Sequence, residues 1–286
     1  MSTETKLIRF DWAMKSLLRD KANFDLWEGF LSAVLREEVS VIDILESESN
    51  VPDAQKLNRV DILIQDKQQQ YIIVEVQNCY QMTAYLERIL FGVSKVIVDN
   101  VKSSEDYSEV SKVISISILY FDLGLGEDYV FYGKTEYRGL HDTQPLVYQR
   151  RRKNKTLEKL KSQDLFPEYY LINVERFADV MKTDLDEWIY LFKHAALPPH
   201  CKAKNLEKAG EKLDVLKMKP EERHRYDMYL MAMANEQDKI DTAFKDGWQE
   251  GKLKAKLKIA KKMLGSGMDI ETIATMTGLS PSEIIV

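Results

Sequence analysis

With 286 residues, 44% of them hydrophobic and 30% charged, the chain has the composition of an ordinary globular protein. Its formal net charge of −5 argues against a protein that coats nucleic acid by bulk electrostatics, but leaves room for a local basic face. Cys79 and Cys201 cannot build a disulfide framework, and no stretch approaches the roughly 20 apolar residues that span a bilayer. Met1 to Arg9 is charged and lacks the apolar core of a signal peptide, so a soluble, cytoplasmic protein of a reducing compartment is expected.

Phe24 to Arg36 places Phe24, Trp27, Leu31, Val34 and Leu35 at helical spacing, with Glu28, Ser32 and Arg36 opposite. Val39 to Leu45 then reads as a strand, because Val, Ile and Leu dominate and the helical period is gone. Two more strands, Val60 to Gln65 and Tyr71 to Gln77, follow the polar loop around Pro52. Asp66 to Gln70 joins them, a polar connection of hairpin length. Met82 to Val98 is helical again, with Leu86, Ile89, Leu90, Val93 and Ile97 as its apolar positions. Ile114 to Phe121 and Tyr129 to Tyr132 read as strands, with Gly124 and Gly126 in the turn between them, and Tyr169 to Val174 reads as another. From Phe177 the pattern is helical nearly to the end, broken by Pro198-Pro199 and by Gly265 and Gly267. The order predicts an α/β sandwich, a mixed sheet flanked by helices, and then a helical extension. The expected division is residues 1–195 for the α/β domain and 196–286 for the extension.

The hairpin carries a candidate site. If Gln68 centres the turn, opposing residue numbers sum to 136, and Asp61 faces Glu75. Alternation puts Gln77 on the face of Glu75, while Val74 and Val76 point the other way. Directly opposed like charges are destabilising, so two carboxylates inside Val-Asp-Ile-Leu-Ile and Ile-Ile-Val-Glu-Val need a reason. A hard cation supplies one, since Mg²⁺ favours one or two carboxylates with water and phosphate oxygens. The structural alternative makes Asp61 a strand-start residue and pairs Glu75 with Arg59 or Arg88.

The run Arg59-Val-Asp61-Ile-Leu-Ile … Tyr71-Ile-Ile-Val-Glu75-Val-Gln77 resembles the Asp…Glu-x-Gln form of the PD-(D/E)xK signature in the Rpn family. These are bacterial recombination-promoting nucleases, also labelled putative transposases. Phe10-Asp11-Trp-Ala-Met-Lys15 is similar to the family's opening motif, and Tyr85-Leu-Glu-Arg88 falls on its post-motif helix. Val113 to Leu119, Pro167 to Ile172, Leu185 to Tyr190 and the glycine-punctuated basic tail resemble later family blocks, so the likeness covers nearly the whole chain. The resemblance implies a restriction-endonuclease-like αβββαβ core and Mg²⁺-dependent endonucleolytic cleavage of DNA. Under it Asp61 and Glu75 are metal ligands, and Gln77 occupies the usual lysine position as a catalytic residue. Glutamine can hydrogen-bond but brings no charge. The rival reading is a catalytically weakened member that binds DNA or a partner protein.

Gln149 to Lys161 holds seven basic residues (Arg150, Arg151, Arg152, Lys153, Lys155, Lys159, Lys161) against Glu158, a net of +6. It is a candidate phosphate-docking run, or a solvated charged loop and helix start. Arg88 shares a helix face with Tyr85 and is a second candidate for phosphate contact, or for an ion pair with the carboxylates. His194, His200, Cys201 and His224 fit no standard zinc spacing. In the tail, Leu253, Leu257, Ala260 and Leu264 form an apolar stripe. Ser280-Pro-Ser-Glu283 is a capping box that opens a last helix of about six residues. The tail resembles a helix-turn-helix, but so short a final helix favours packing or self-association over base reading, so a homo-oligomer through the C-terminal helices is expected.

Overall fold

A computed structural model describes residues 7–16, 20–45, 61–78, 84–100, 110–124, 126–151 and 157–285. In chain order its strands are β1 (Val41–Leu45), β2 (Ile62–Asp66), β3 (Tyr71–Gln77), β4 (Val113–Leu119), β5 (Val130–Lys134), β6 (Val147–Arg151), β7 (Leu157–Lys161) and β8 (Glu168–Asn173). Its helices are α1 (Phe10–Ser16), α2 (Phe24–Leu35), α3 (Tyr85–Asp99), α4 (Asp184–His194), α5 (Leu206–Lys212), α6 (Pro220–Gly265), α7 (Ile270–Thr277) and α8 (Pro281–Ile285). They fall into two compact units, Met1–Arg223 and His224–Val286.

The first unit contains a six-stranded sheet in the order β1-β2-β3-β4-β8-β5. The β1–β2–β3 meander is antiparallel, β4 runs parallel to both β3 and β8, and β5 closes the far edge antiparallel to β8. Parallel neighbours need a crossover, and α3 supplies it between β3 and β4. Central parallel strands are covered on both faces, which is why Val-Ile-Ser-Ile-Ser-Ile-Leu is buried at every position. The mixed sheet with flanking helices agrees with the fold class expected above.

Helix α3 forms because Tyr85, Ile89, Val93 and Val96 recur on one face. That face packs on Ile73, Val113 and Leu119. Burying each such aliphatic side chain is worth about 1.5–3 kcal/mol, enough in sum to tolerate a costly polar group on the same face. The even-numbered residues Ile72, Val74, Val76, Ile114, Ile116 and Ile118 point to the other face and are buried as well. An aromatic cluster joins α1, α2 and α4: Phe10 stacks on Phe192 at 3.9 Å, and Phe30 meets both Trp188 and Phe192 edge-on. Helix α4 starts on a reciprocal capping box between Thr183 and Asp186. The first unit extends past residue 195 to include α5, which reaches α2 at Gly29. A Cβ there would stand 2.3 Å from the Lys204 carbonyl oxygen, so only glycine fits.

Two features depart from the sequence pattern. The basic run is neither a loop nor a helix start where it is described. Val147–Arg151 and Leu157–Lys161 pair antiparallel as a separate two-stranded ribbon. In the second unit part of the apolar stripe finds its partner within the chain. Ala260, with Leu257 beside it, packs against Ile273 of α7, Leu279 and Ile284 of α8, while Leu253 and Leu264 stay about 40% exposed. The Ser280–Glu283 capping box is present, and Ser280 N–H donates to Glu283 Oε2 at 2.8 Å.

Candidate active site

The β2–β3 register pairs Ile62 with Val74 and Gln65 with Tyr71, so opposing numbers sum to 136 as the turn chemistry predicts. Asp61 lies one residue before β2. Its carboxylate turns onto β3 and accepts the Val76 N–H at 2.9 Å. Asp61 is thus anchored to the strand that carries Glu75, and the pair arises from one hairpin.

Glu75 sits at 7% exposure beneath α3, on the face of Ile73. Burial pushes its carboxyl up to about 7; the Arg88 charge opposes that shift and the Asp61 charge adds to it. Its Oε2 is buried with no hydrogen-bond partner among the described residues, and the buried Tyr85 and Ser117 hydroxyls neighbour each other close by. Ser117 is the strand neighbour of Glu75 on β4. Burial pushes the Tyr85 phenol up; the Ser117 hydrogen bond opposes that shift and the Glu75 charge adds to it. Buried polar atoms normally find partners, so a buried carboxylate oxygen with none among the described residues makes Glu75 a candidate ligand-binding group. Asp61 and Glu75 supply two carboxylates, and no group of three His, Cys, Asp or Glu side chains is assembled among the described residues. Two carboxylates with open positions fit Mg²⁺, which keeps several waters and takes phosphate oxygens, better than an ion that needs a full protein cage.

Gln77 ends β3 on the same face, half-buried, and its carbonyl accepts the Tyr120 N–H at 2.9 Å. The opening motif lies behind this strand end. Arg9 stacks over the Tyr120 ring at 5.1 Å, and it pairs at 3.2 Å with Asp11, which is fully buried. The Tyr120 hydroxyl donates to the Phe192 carbonyl, so Arg9 lies on the sheet face opposite the Gln77 side chain. Sequence reading recognised the Phe10-Asp11 motif but had no periodicity that could assign Arg9 a place. Arg88 lies on α3 close enough for its charge to favour the ionised form of Glu75.

Residues 8–243 match the PD-(D/E)XK nuclease family transposase. The chain belongs to that family. Residues 253–285 match the C-terminal helix-turn-helix domain of the Rpn/YhgA-like nuclease family, in agreement with the resemblance carried by the hairpin and the tail. No curated protein and no solved structure matches the chain. The structure brings Asp61, Glu75 and Gln77 to the sheet face under α3, with Arg88 on that helix near Glu75.

The remaining candidates belong to other elements or lie outside the described residues. Arg150 and Arg151 belong to β6, while Arg59, Arg152, Lys153, Lys155 and Cys79 lie outside the described residues. On β7, Lys159 and Lys161 alternate onto one face and are exposed. His194 is paired with Asp179 at 2.8 Å, and the Cys201 thiol points to the Pro198 carbonyl, so neither is organised for zinc. No helix among the described residues is long and apolar enough to cross a membrane.

Proposed function

We propose that this family member is a Mg²⁺-dependent DNA endonuclease, acting in the cytoplasm on recombining or mobile DNA, with Asp61 and Glu75 as the metal ligands. The observation that carries the reading is the buried Glu75 Oε2 with no partner among the described residues, beside the anchored Asp61 carboxylate. Burial makes an unneutralised Glu75 costly, and a cation there removes that cost. Bound by the two carboxylates, the ion supplies Lewis acidity to the phosphodiester and lowers the pKa of the attacking water. Val76 N–H holds Asp61 in place, and Arg88 favours the charged Glu75 that a ligand must be. Gln77 offers an amide donor to the scissile phosphate from the same face. Exposed Lys159 and Lys161, with the Arg150–Lys153 run, dock the duplex backbone. Exposed Phe244 and Trp248 on α6 offer a contact for a second copy of the chain.

Supercoiled plasmid incubated with the pure protein tests the reading. Nicking with Mg²⁺ and none with chelator is expected; no nicking at any Mg²⁺ concentration contradicts it. The second reading, a weakened member that only binds DNA or protein, is favoured by Gln77 alone. It predicts plasmid binding without cuts.

Two expected results follow from this arrangement. Changing Lys159 and Lys161 together to Ala should lower the log–log salt slope of DNA binding by up to about 1.8, since each phosphate contact contributes about 0.9. An unchanged slope in fluorescence anisotropy would assign the ribbon to something other than phosphate docking. Gln77→Lys should cut at least as fast as the parent, because a fixed positive charge stabilises a developing oxyanion better than a neutral amide. Mg²⁺ should be titrated in both proteins, because a lysine that pairs with Glu75 displaces the ion. Slower cutting at saturating Mg²⁺ would show that the amide itself is required.

A further inference from the structure

A cavity of about 260 Å³ opens on the same sheet face as Glu75, one strand further along. Leu119 forms part of its wall and is the direct β4 neighbour of Gln77. Adjacent strands lie about 4.8 Å apart, so the cavity begins within the span of one nucleotide from the proposed cleavage centre. The other walls are Leu86 of α3, Leu171 of β8 and the ring of Phe131 on β5, which is 40% exposed. The space is below the roughly 300–1,000 Å³ of drug-sized sites and suits one flat heterocycle.

Its polar groups are specific. Asn173 is 5% exposed and lines the cavity; its Oδ1 accepts the Arg176 N–H at 3.2 Å. Its side-chain amide is the uncharged polar group of the lining. Arg176 is no free anion receptor, because its guanidinium is engaged by the Asp122 carboxylate and by the Gly124 and Gly126 carbonyls. The lip is therefore close to neutral, which disfavours a phosphate. The same contacts hold the loop against Phe131. Gly126 has φ +137° and a Cβ there would lie 2.7 Å from the Phe131 ring, so glycine is what lets the ring seat.

We propose that this cavity is a nucleobase pocket that takes one unstacked base of the strand being cut. The inference rests on the nuclease reading for its biological ligand but can be tested apart from cleavage. Phe131 supplies the stacking surface, Leu119 and Leu171 the apolar walls, and Asn173 Nδ2 a hydrogen bond to an acceptor on the base edge. A paired base cannot enter without leaving its stack, so unpaired or single-stranded DNA is preferred over intact duplex.

The test is saturation-transfer NMR on the full chain with each of the four free deoxynucleosides, beside N-acetylleucinamide as an apolar side-chain probe. Saturation of base protons over sugar protons is expected for at least one nucleoside. Phe131→Ala should weaken that binding roughly tenfold, the scale of losing one base–aromatic stack. Leu171→Trp, which fills the cavity, should abolish it. Phe131 lies on the partly exposed edge strand, so its variant remains informative if the Trp variant does not fold. No transfer to any base, undiminished transfer in a folded variant, or stronger binding of N-acetylleucinamide would overturn the proposal. Plasmid nicking is scored separately. A parent that binds nucleoside but never cuts keeps the pocket and loses the nuclease reading, and a parent that cuts without binding any nucleoside does the reverse.

Discussion

Asp61→Asn and Glu75→Gln are each expected to reduce Mg²⁺-dependent nicking by about 10²–10³-fold or more, the loss that follows removal of one preorganised group facing developing charge. The amide variants are chosen for a structural reason. Asp61 accepts the Val76 N–H at 2.9 Å, and Asn keeps an acceptor there. Asp61→Ala would instead orphan that donor, costing about 1–3 kcal/mol, and mix a folding defect into the kinetics. Steady-state nicking with circular dichroism on each variant separates the two effects. Parent-like rates in both amide variants would remove the carboxylates from the chemistry.

Stability of the metal-free protein should fall as pH rises from 4.5 to 7, and Glu75→Gln should remove most of that fall. The sign follows from Glu75, whose carboxyl is raised from 4.5 to about 7 in the folded chain. Between those values the folded protein keeps a proton that the unfolded chain has released, so rising pH favours unfolding. The Glu75 penalty is absent below 4.5 and complete above 7, where it reaches about 3 kcal/mol at about 1.4 kcal/mol per pKa unit. Urea unfolding of parent and Glu75→Gln at pH 5 and pH 8, with chelator, measures it. Parallel pH profiles would mean that Glu75 is solvated or paired in the folded protein. Mg²⁺ added at pH 8 should restore stability to the parent but not to the variant.

The hairpin register was readable because a hairpin has few degrees of freedom. A five-residue polar connection fixed the register of Ile62 to Gln65 against Tyr71 to Val74, and alternation then put Glu75 and Gln77 on one face. Where Asp61 spends its carboxylate was not readable, because the ladder stops at Ile62 and the Val76 bond depends on the chain's path before the strand. Helices α2 and α3 announced themselves by apolar spacing. The β6–β7 ribbon did not: Lys159 and Lys161 present charge at alternate positions, and exposed Val147 and Leu157 do not face a core. Arg9 reaches Tyr120 and Phe10 reaches Phe192 only through tertiary packing, which has no local period. In the tail, the spacing of Leu257 and Ala260 was plain, but their partners Ile273 and Ile284 follow from a turn that a helical period does not encode.

Manganese binding, followed by electron paramagnetic resonance as Mn²⁺ is titrated into the protein, addresses the Asp61–Glu75 pair without relying on turnover. The parent should take up a single ion saturably and release it to excess Mg²⁺. Asp61→Asn and Glu75→Gln should each weaken uptake by tenfold or more, while Lys159→Ala on the separate β6–β7 ribbon leaves it unchanged. Mn²⁺ uptake of parental strength in both amide variants would contradict the assignment of these two carboxylates as the metal site.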